Sequence, residues 1–207
     1  MSDITANVPV APLPIPAGAF KAYLFDLDGT LADSMPLHYK AWMQAVADFG
    51  GTFPEDVFYE LGGVTIVKTV EILNERFGSH MPPEETAHHK EQLYYAMLPE
   101  LKPIASVVAH VHAMHGKIPM GIVSGSPRAS IAQTLERIGL GGEFDIIVGA
   151  EDYTHGKPDP EPFLTAAKKL NIAPADCLVF EDADAGIASA IAAGMQYVRV
   201  PRGSISS

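Results

Sequence analysis

Five apolar segments of strand length recur along the chain and constrain its fold more than any other feature: AYLF before Asp26, IPMGIV before Ser124, FDIIV at 144–148, CLVF before Glu181 and QYVRV at 196–200. Runs that are apolar over most of their length, rather than alternating, and that are bounded by turn residues, suit strands buried on both faces. Such burial is the rule in parallel sheets covered by helices. Stretches with helical character at 126–138, 160–170 and 185–193 separate the later segments, so the order is the β–α alternation of an open, doubly wound sheet.

Between the first two apolar segments the alternation breaks. Residues 35–99 read as helix, at 37–49, 64–77 and 84–98, divided by Gly50-Gly51, Gly62-Gly63 and Pro82-Pro83. The expected organisation is therefore an α/β doubly wound parallel-sheet core of 20–34 and 100–207, with a helical insertion at 35–99. Residues 1–19, with four prolines and no period, form a flexible amino-terminal arm. A chain of 207 residues has the length for one core plus such an insertion. Lys and Arg number 14 against 25 Asp and Glu, a formal charge of −11, which repels phosphate backbones and anionic lipid. No nucleic acid and no membrane are expected as partners. The single cysteine, Cys177, cannot form an intramolecular disulfide, and no basic start precedes an apolar stretch, so the expected compartment is the cytoplasm.

The chemistry gathers after the apolar segments. FDLDGTLADS places Asp26 and Asp28 beyond the first, where open α/β sheets put their ligands, and two carboxylates two residues apart suit a shared cation. Taken alone, Asp-x-Asp is equally a polar strand-to-loop junction in which Gly29 permits the turn. It does not stand alone: Ser124 follows MGIV, Lys157 lies in THGKPDP, and Glu181-Asp182 follow LVF.

With these four motifs in order over residues 22 to about 200, the sequence resembles the haloacid dehalogenase superfamily of phosphotransferases. It is most similar to the beta-phosphoglucomutase and fructose-1-phosphatase-like branch, through DGTLADSMPLHYKAW, GIVSGS, HGKPDPEPF and VFEDADAGIASAIAAGM. The resemblance implies a Rossmann-like core with an all-helical cap at 35–99. It implies Asp26 as nucleophile, forming an aspartyl-phosphate, Asp28 as general acid and base holding a proton at rest, and Ser124 and Lys157 as catalytic phosphate partners. Mg²⁺ is the implied cofactor, held by Asp26, the backbone carbonyl of Asp28, Asp182 and, directly or through water, Glu181. Implied substrate contacts are Leu27, Ser34, His38, Gly63, Lys68 and Gly125. The implied partner is a small phosphorylated metabolite, with the chain a monomer or weak dimer.

Several residues admit a plainer reading. His38 is either a gate for proton transfer or a helix-packed histidine, and Gly62-Gly63 either a specificity loop or a helix break. Lys68 either touches substrate or is a solvated helix lysine, and Asp184 either a third acid or a helix-start residue. The mutase pattern carries an arginine just after the loop glycine to hold a second phosphate, and Ile66 stands in that place. Hydrolysis of a sugar phosphate is accordingly expected ahead of a phosphomutase, a metal-free dehalogenase or a receiver-type signalling module. His110, His112 and His115 do not share one helical face and are not expected to bind metal. The cap implies an open-to-closed cycle about links near Ser34 and Leu101.

Overall fold

A computed structural model of the chain describes residues 11–62 and 64–202. Five parallel strands, β1 Ala22–Phe25, β2 Met120–Val123, β3 Ile146–Val148, β4 Cys177–Glu181 and β5 Gln196–Arg199, form one sheet in the order β3-β2-β1-β4-β5. The central strand is the first in the chain and is buried throughout. Its side chains divide by the period of two. Tyr23 and Phe25 face a core shared with helices α5 Ala105–Met114 and α6 Arg128–Arg137. Ala22 and Leu24 face a second core shared with α7 Glu161–Leu170 and α8 Asp184–Ala192. Helices thus cover both faces, which is the doubly wound, Rossmann-like arrangement.

The sequence expectation of strands buried on both faces holds for β1, β2 and β4 but not at the margins. Gln196, Tyr197 and Arg199 of β5 are exposed and only Val198 is buried. An edge strand has one neighbour and partial cover, so its apolar requirement falls.

Four cap helices follow β1: α1 Met35–Asp48, α2 Glu55–Glu60, α3 Ile66–Phe77 and α4 Pro83–Met97. Helix α2 was not expected, because six residues span under two turns and give no readable period. It is needed nevertheless: Val57 and Phe58 join Trp42, Val46, Phe53, Val70, Leu73 and Met81 in an apolar cluster drawn from the cap alone. Helix α3 ends at Gly78, whose φ of +68° is the left-handed stop expected of glycine. The cap is tied to the core by paired connecting segments, where Asp33 N–H donates to Lys102 O and Ile104 N–H to Leu31 O. Residues 11–19 carry no helix or strand, yet the Leu13 carbonyl accepts from His110 Nε2 at 2.8 Å. Among the described residues no helix is long and apolar enough to cross a membrane.

Candidate active site

Strand register builds the site. Phe25 of β1 pairs with Phe180 of β4 and with Ile122 of β2, so the next residues, Asp26 and Glu181, emerge side by side, with Ser124 just beyond β2. The Asp26 N–H still donates to Phe180 O at 3.0 Å, which fixes the backbone from which its carboxylate projects. The turn after β1 then folds over: Thr30, Leu31 and Ala32 N–H all donate to Leu27 O. Gly29 is required in it. Its φ is +85°, and a Cβ there would lie 2.8 Å from Asp182 Oδ2.

Lys157, in the loop before α7, reaches into this group. Its Nζ donates to Asp26 Oδ1 and Glu181 Oε2, each at 2.7 Å, and to Val123 O at 3.0 Å. Burial alone would strip its proton, but the two carboxylates dominate and hold it well above the ordinary lysine range. Asp26, Glu181 and Asp182 are all buried, with carboxylate oxygens within 4.8 Å of one another. Burial and repulsion from Glu181 raise the proton affinity of Asp26, against the attraction of Lys157, and push Asp182 to about 6. Three carboxylates against Lys157 and the more exposed Arg202, which stands 3.6 Å from Asp182 Oδ2, leave negative charge unbalanced. An oxygen-only donor set with surplus charge fits Mg²⁺, which takes hard oxygen ligands and typically one or two carboxylates. Asp26 and Asp182 fit it best: both Glu181 oxygens accept, from Lys157 at 2.7 Å and from Ala183 N–H at 3.1 Å, whereas the partners of Asp182 stand farther off, the Thr30 hydroxyl at 3.3 Å and Arg202 at 3.6 Å.

The Asp28 carboxylate is not in that group; it turns toward the cap. Oδ1 accepts from Ser34 Oγ at 2.7 Å, Oδ2 from Ser126 Oγ at 3.4 Å, and His38 Nε2 stands 3.8 Å from Oδ1. Burial opposes its ionisation, but His38, Ser34 and the Lys90 charge together hold its proton affinity below the usual carboxylate range. This corrects the expectation of a resting proton: its neighbours favour the charged form.

His38, on α1, stacks on Tyr94 of α4 with ring centroids 3.8 Å apart, and its Nδ1 lies 3.1 Å from Lys90 Nζ. His38 is thus packed between two cap helices and also faces the Asp28 carboxylate. Lys90 is 4% exposed and lies over the rings of Trp42 and Tyr94; burial lowers it to about 8. Sequence reasoning missed it. The signal was its spacing from Ala87 and Tyr94, three and four residues away on the buried stripe of α4.

A cavity of about 230 Å³ opens beside Asp28 and His38, between α4 and the start of α6. Ile66, Lys90, Gly125 and Ser126 line it too, and Asp26 does not. The remaining expected substrate contacts are distributed unevenly. Ser124 is buried and its Oγ accepts from Ser126 N–H at 3.1 Å. Leu27 puts its side chain in the core, and Ser34 is fully buried behind Asp28. Lys68 is exposed and pairs with Glu71 at 2.8 Å, three residues on, without lining the cavity. Gly63 lies outside the described residues. Asp184 stands in the first turn of α8, paired with Arg199 at 2.7 Å.

Residues 23–200 match the family model for haloacid dehalogenase-like hydrolases. A fructose-1-phosphate phosphatase of Escherichia coli is 33% identical over 87% of this chain and 96% of its own. A beta-phosphoglucomutase of Bacillus subtilis is 31% identical over 88% and 84%. The crystal structure of a putative beta-phosphoglucomutase from Thermotoga maritima superposes with a TM-score of 0.71 at 26% identity, covering 89% of each chain.

Proposed function

The chain belongs to the haloacid dehalogenase-like hydrolase family, and from that premise we propose that it is a Mg²⁺-dependent phosphatase of a small phosphorylated metabolite, a sugar monophosphate, acting through an aspartyl-phosphate at Asp26. The observation that carries the reading is the pairing of Asp26 with Lys157 beside Asp182, while Asp28, two residues on, opens onto a separate small cavity. One carboxylate faces the cation site and the other faces the leaving group.

Asp26 and Asp182 would hold Mg²⁺, which when bound would supply charge neutralisation for a phosphoryl group next to a carboxylate. Lys157 holds the Asp26 carboxylate in place and offers a cation to the transferring oxygens. Ser124 and the Gly125 backbone stand beside the same strand end as hydrogen-bond partners for those oxygens. An arriving phosphoryl group sets negative charge beside Asp28 and raises its proton affinity. Asp28 then takes up a proton from solvent, donates it to the departing alkoxide and, left ionised, takes a proton from the attacking water in the second half, returning it to solvent as phosphate leaves. Splitting one hard displacement in two is the gain of the covalent route.

Hydrolysis is favoured over the mutase reading by the cavity wall. Among its described lining residues Lys90 is the one lysine or arginine, and it is directed at His38. A second phosphate has no free arginine there, Ile66 lining the wall instead. A receiver-type signalling module has no internal cap. The test is phosphate release from a panel of sugar phosphates, with and without Mg²⁺, for the wild type and Asp26→Asn. Mg²⁺-dependent release lost in the variant supports the reading. Isomer interconversion without free phosphate makes the chain a mutase, and equal release by the variant removes Asp26 from the mechanism.

A further inference from the structure

The cavity beside Asp28 has two walls of different character. Toward the strand ends lie Asp28, His38 and Lys90, already joined to one another. The same cavity is lined by Glu91 and Tyr95 of α4 and by Ser130 and Gln133 of α6. Tyr95 OH stands 3.5 Å from Ser130 Oγ, so this second group is where cap and core touch. Its chemistry is hydroxyls, one amide and one carboxylate, with no lysine or arginine among the described lining residues beyond Lys90.

Resting on the phosphatase reading above, we propose that Glu91, Ser130 and Gln133 form the leaving-group subsite, and that the Glu91 charge selects an uncharged polyhydroxylated leaving group while rejecting one that carries a second phosphate. Three observations lead there. First, the cavity meets Asp28, the group facing the leaving oxygen, and not Asp26, so what occupies it is the part of the ester beyond the scissile bond. Second, about 230 Å³ lies below the roughly 300–1,000 Å³ of pockets that hold drug-sized ligands, so a single small polyol suits it and a nucleoside does not. Third, hydroxyls and an amide supply both donors and acceptors to sugar hydroxyls. Glu91, by contrast, adds a negative charge whose influence reaches Lys90 and His38. A bisphosphate is caught whichever end reacts, because the phosphate not attacked must sit beside Glu91, and like charges placed together at an interface are strongly disfavoured.

The test compares kcat/KM for fructose 1-phosphate and fructose 1,6-bisphosphate, in Mg²⁺, for the wild type, Glu91→Gln and Glu91→Lys. The bisphosphate-to-monophosphate ratio is expected to rise on the order of tenfold in Glu91→Gln and further in Glu91→Lys. The wild-type ratio should also rise with salt, through screening, while that of Glu91→Gln stays flat, a dependence that no purely structural role would produce. Gln133→Lys, on the opposite wall and the other domain, is expected to raise the ratio as well and covers the case of a poorly folded cap variant. Release from both esters with ratios unmoved by all three substitutions overturns this inference alone. No release from any ester overturns the phosphatase reading and this inference with it.

Discussion

The two sides of the cleft solve opposite electrostatic problems. On the core side, two buried carboxylates hold Lys157 and a third, Asp182, stands beside them with Arg202 at 3.6 Å, so the surplus is negative and Lys157 keeps its proton more tightly than a free lysine does. On the cap side, one buried lysine faces a histidine and two aromatic rings, and burial loosens its proton to about 8. The same residue type is driven in opposite directions by its neighbours. On the proposed reading the core side accepts a cation and a phosphoryl group, and the cap side orients one histidine and, through it, Asp28.

The contrast breaks first at Asp26. Asp26→Asn keeps the shape and removes the attacking charge, and Mg²⁺-dependent phosphate release should fall on the order of 10⁴-fold or more in steady-state assays. Next is Lys157→Met, which leaves Asp26 and Glu181 buried without their cation. Chemical denaturation without Mg²⁺ should show a loss of about 3 kcal/mol, with part of it returning on adding Mg²⁺. A loss unaffected by Mg²⁺ would separate the lysine from the metal site.

Lys90→Met sharpens the other half. A lysine with folded pKa of about 8, below its unfolded value, costs stability while both states are protonated, and that cost is relieved as pH rises from about 8 through the unfolded value. The variant should therefore be more stable than the wild type at pH 7, on the order of 2 kcal/mol, with the gap closing above pH 8. Its kcat/KM should nevertheless drop about tenfold, as His38 loses its partner. Denaturation across pH, beside a pH–rate profile, checks both signs. The smallest effect belongs to Lys68→Ala, at an exposed pair with Glu71: stability within about 0.5 kcal/mol and activity within about twofold.

The same contrast governs what was legible in the chain. Core-side residues sit at the ends of apolar runs, and parallel register then forces the ends together, so Asp26, Ser124 and Glu181, ambiguous one by one, are readable as a set. Cap-side residues meet through packing between helices. Lys90 reaches His38 across 52 residues, in a helix polar enough to read as surface. Lys68 and Lys90 look alike in sequence, and only the stripe set by Ala87 and Tyr94 tells the buried one from the exposed one. Helix α2 was missed because it is too short to show a period, whereas β5 was read at its place and only its burial on both faces failed, because an edge strand needs only one buried side chain, Val198.

The central claim is that Asp26 carries the phosphoryl group between its two transfers. Acid quench during turnover of a sugar monophosphate with Mg²⁺, followed by peptide mass analysis, tests it directly. The account predicts one added PO₃ on the peptide bearing Asp26 in the wild type and none in Asp26→Asn. Steady phosphate release with that peptide unmodified, or the adduct on another residue, would contradict it.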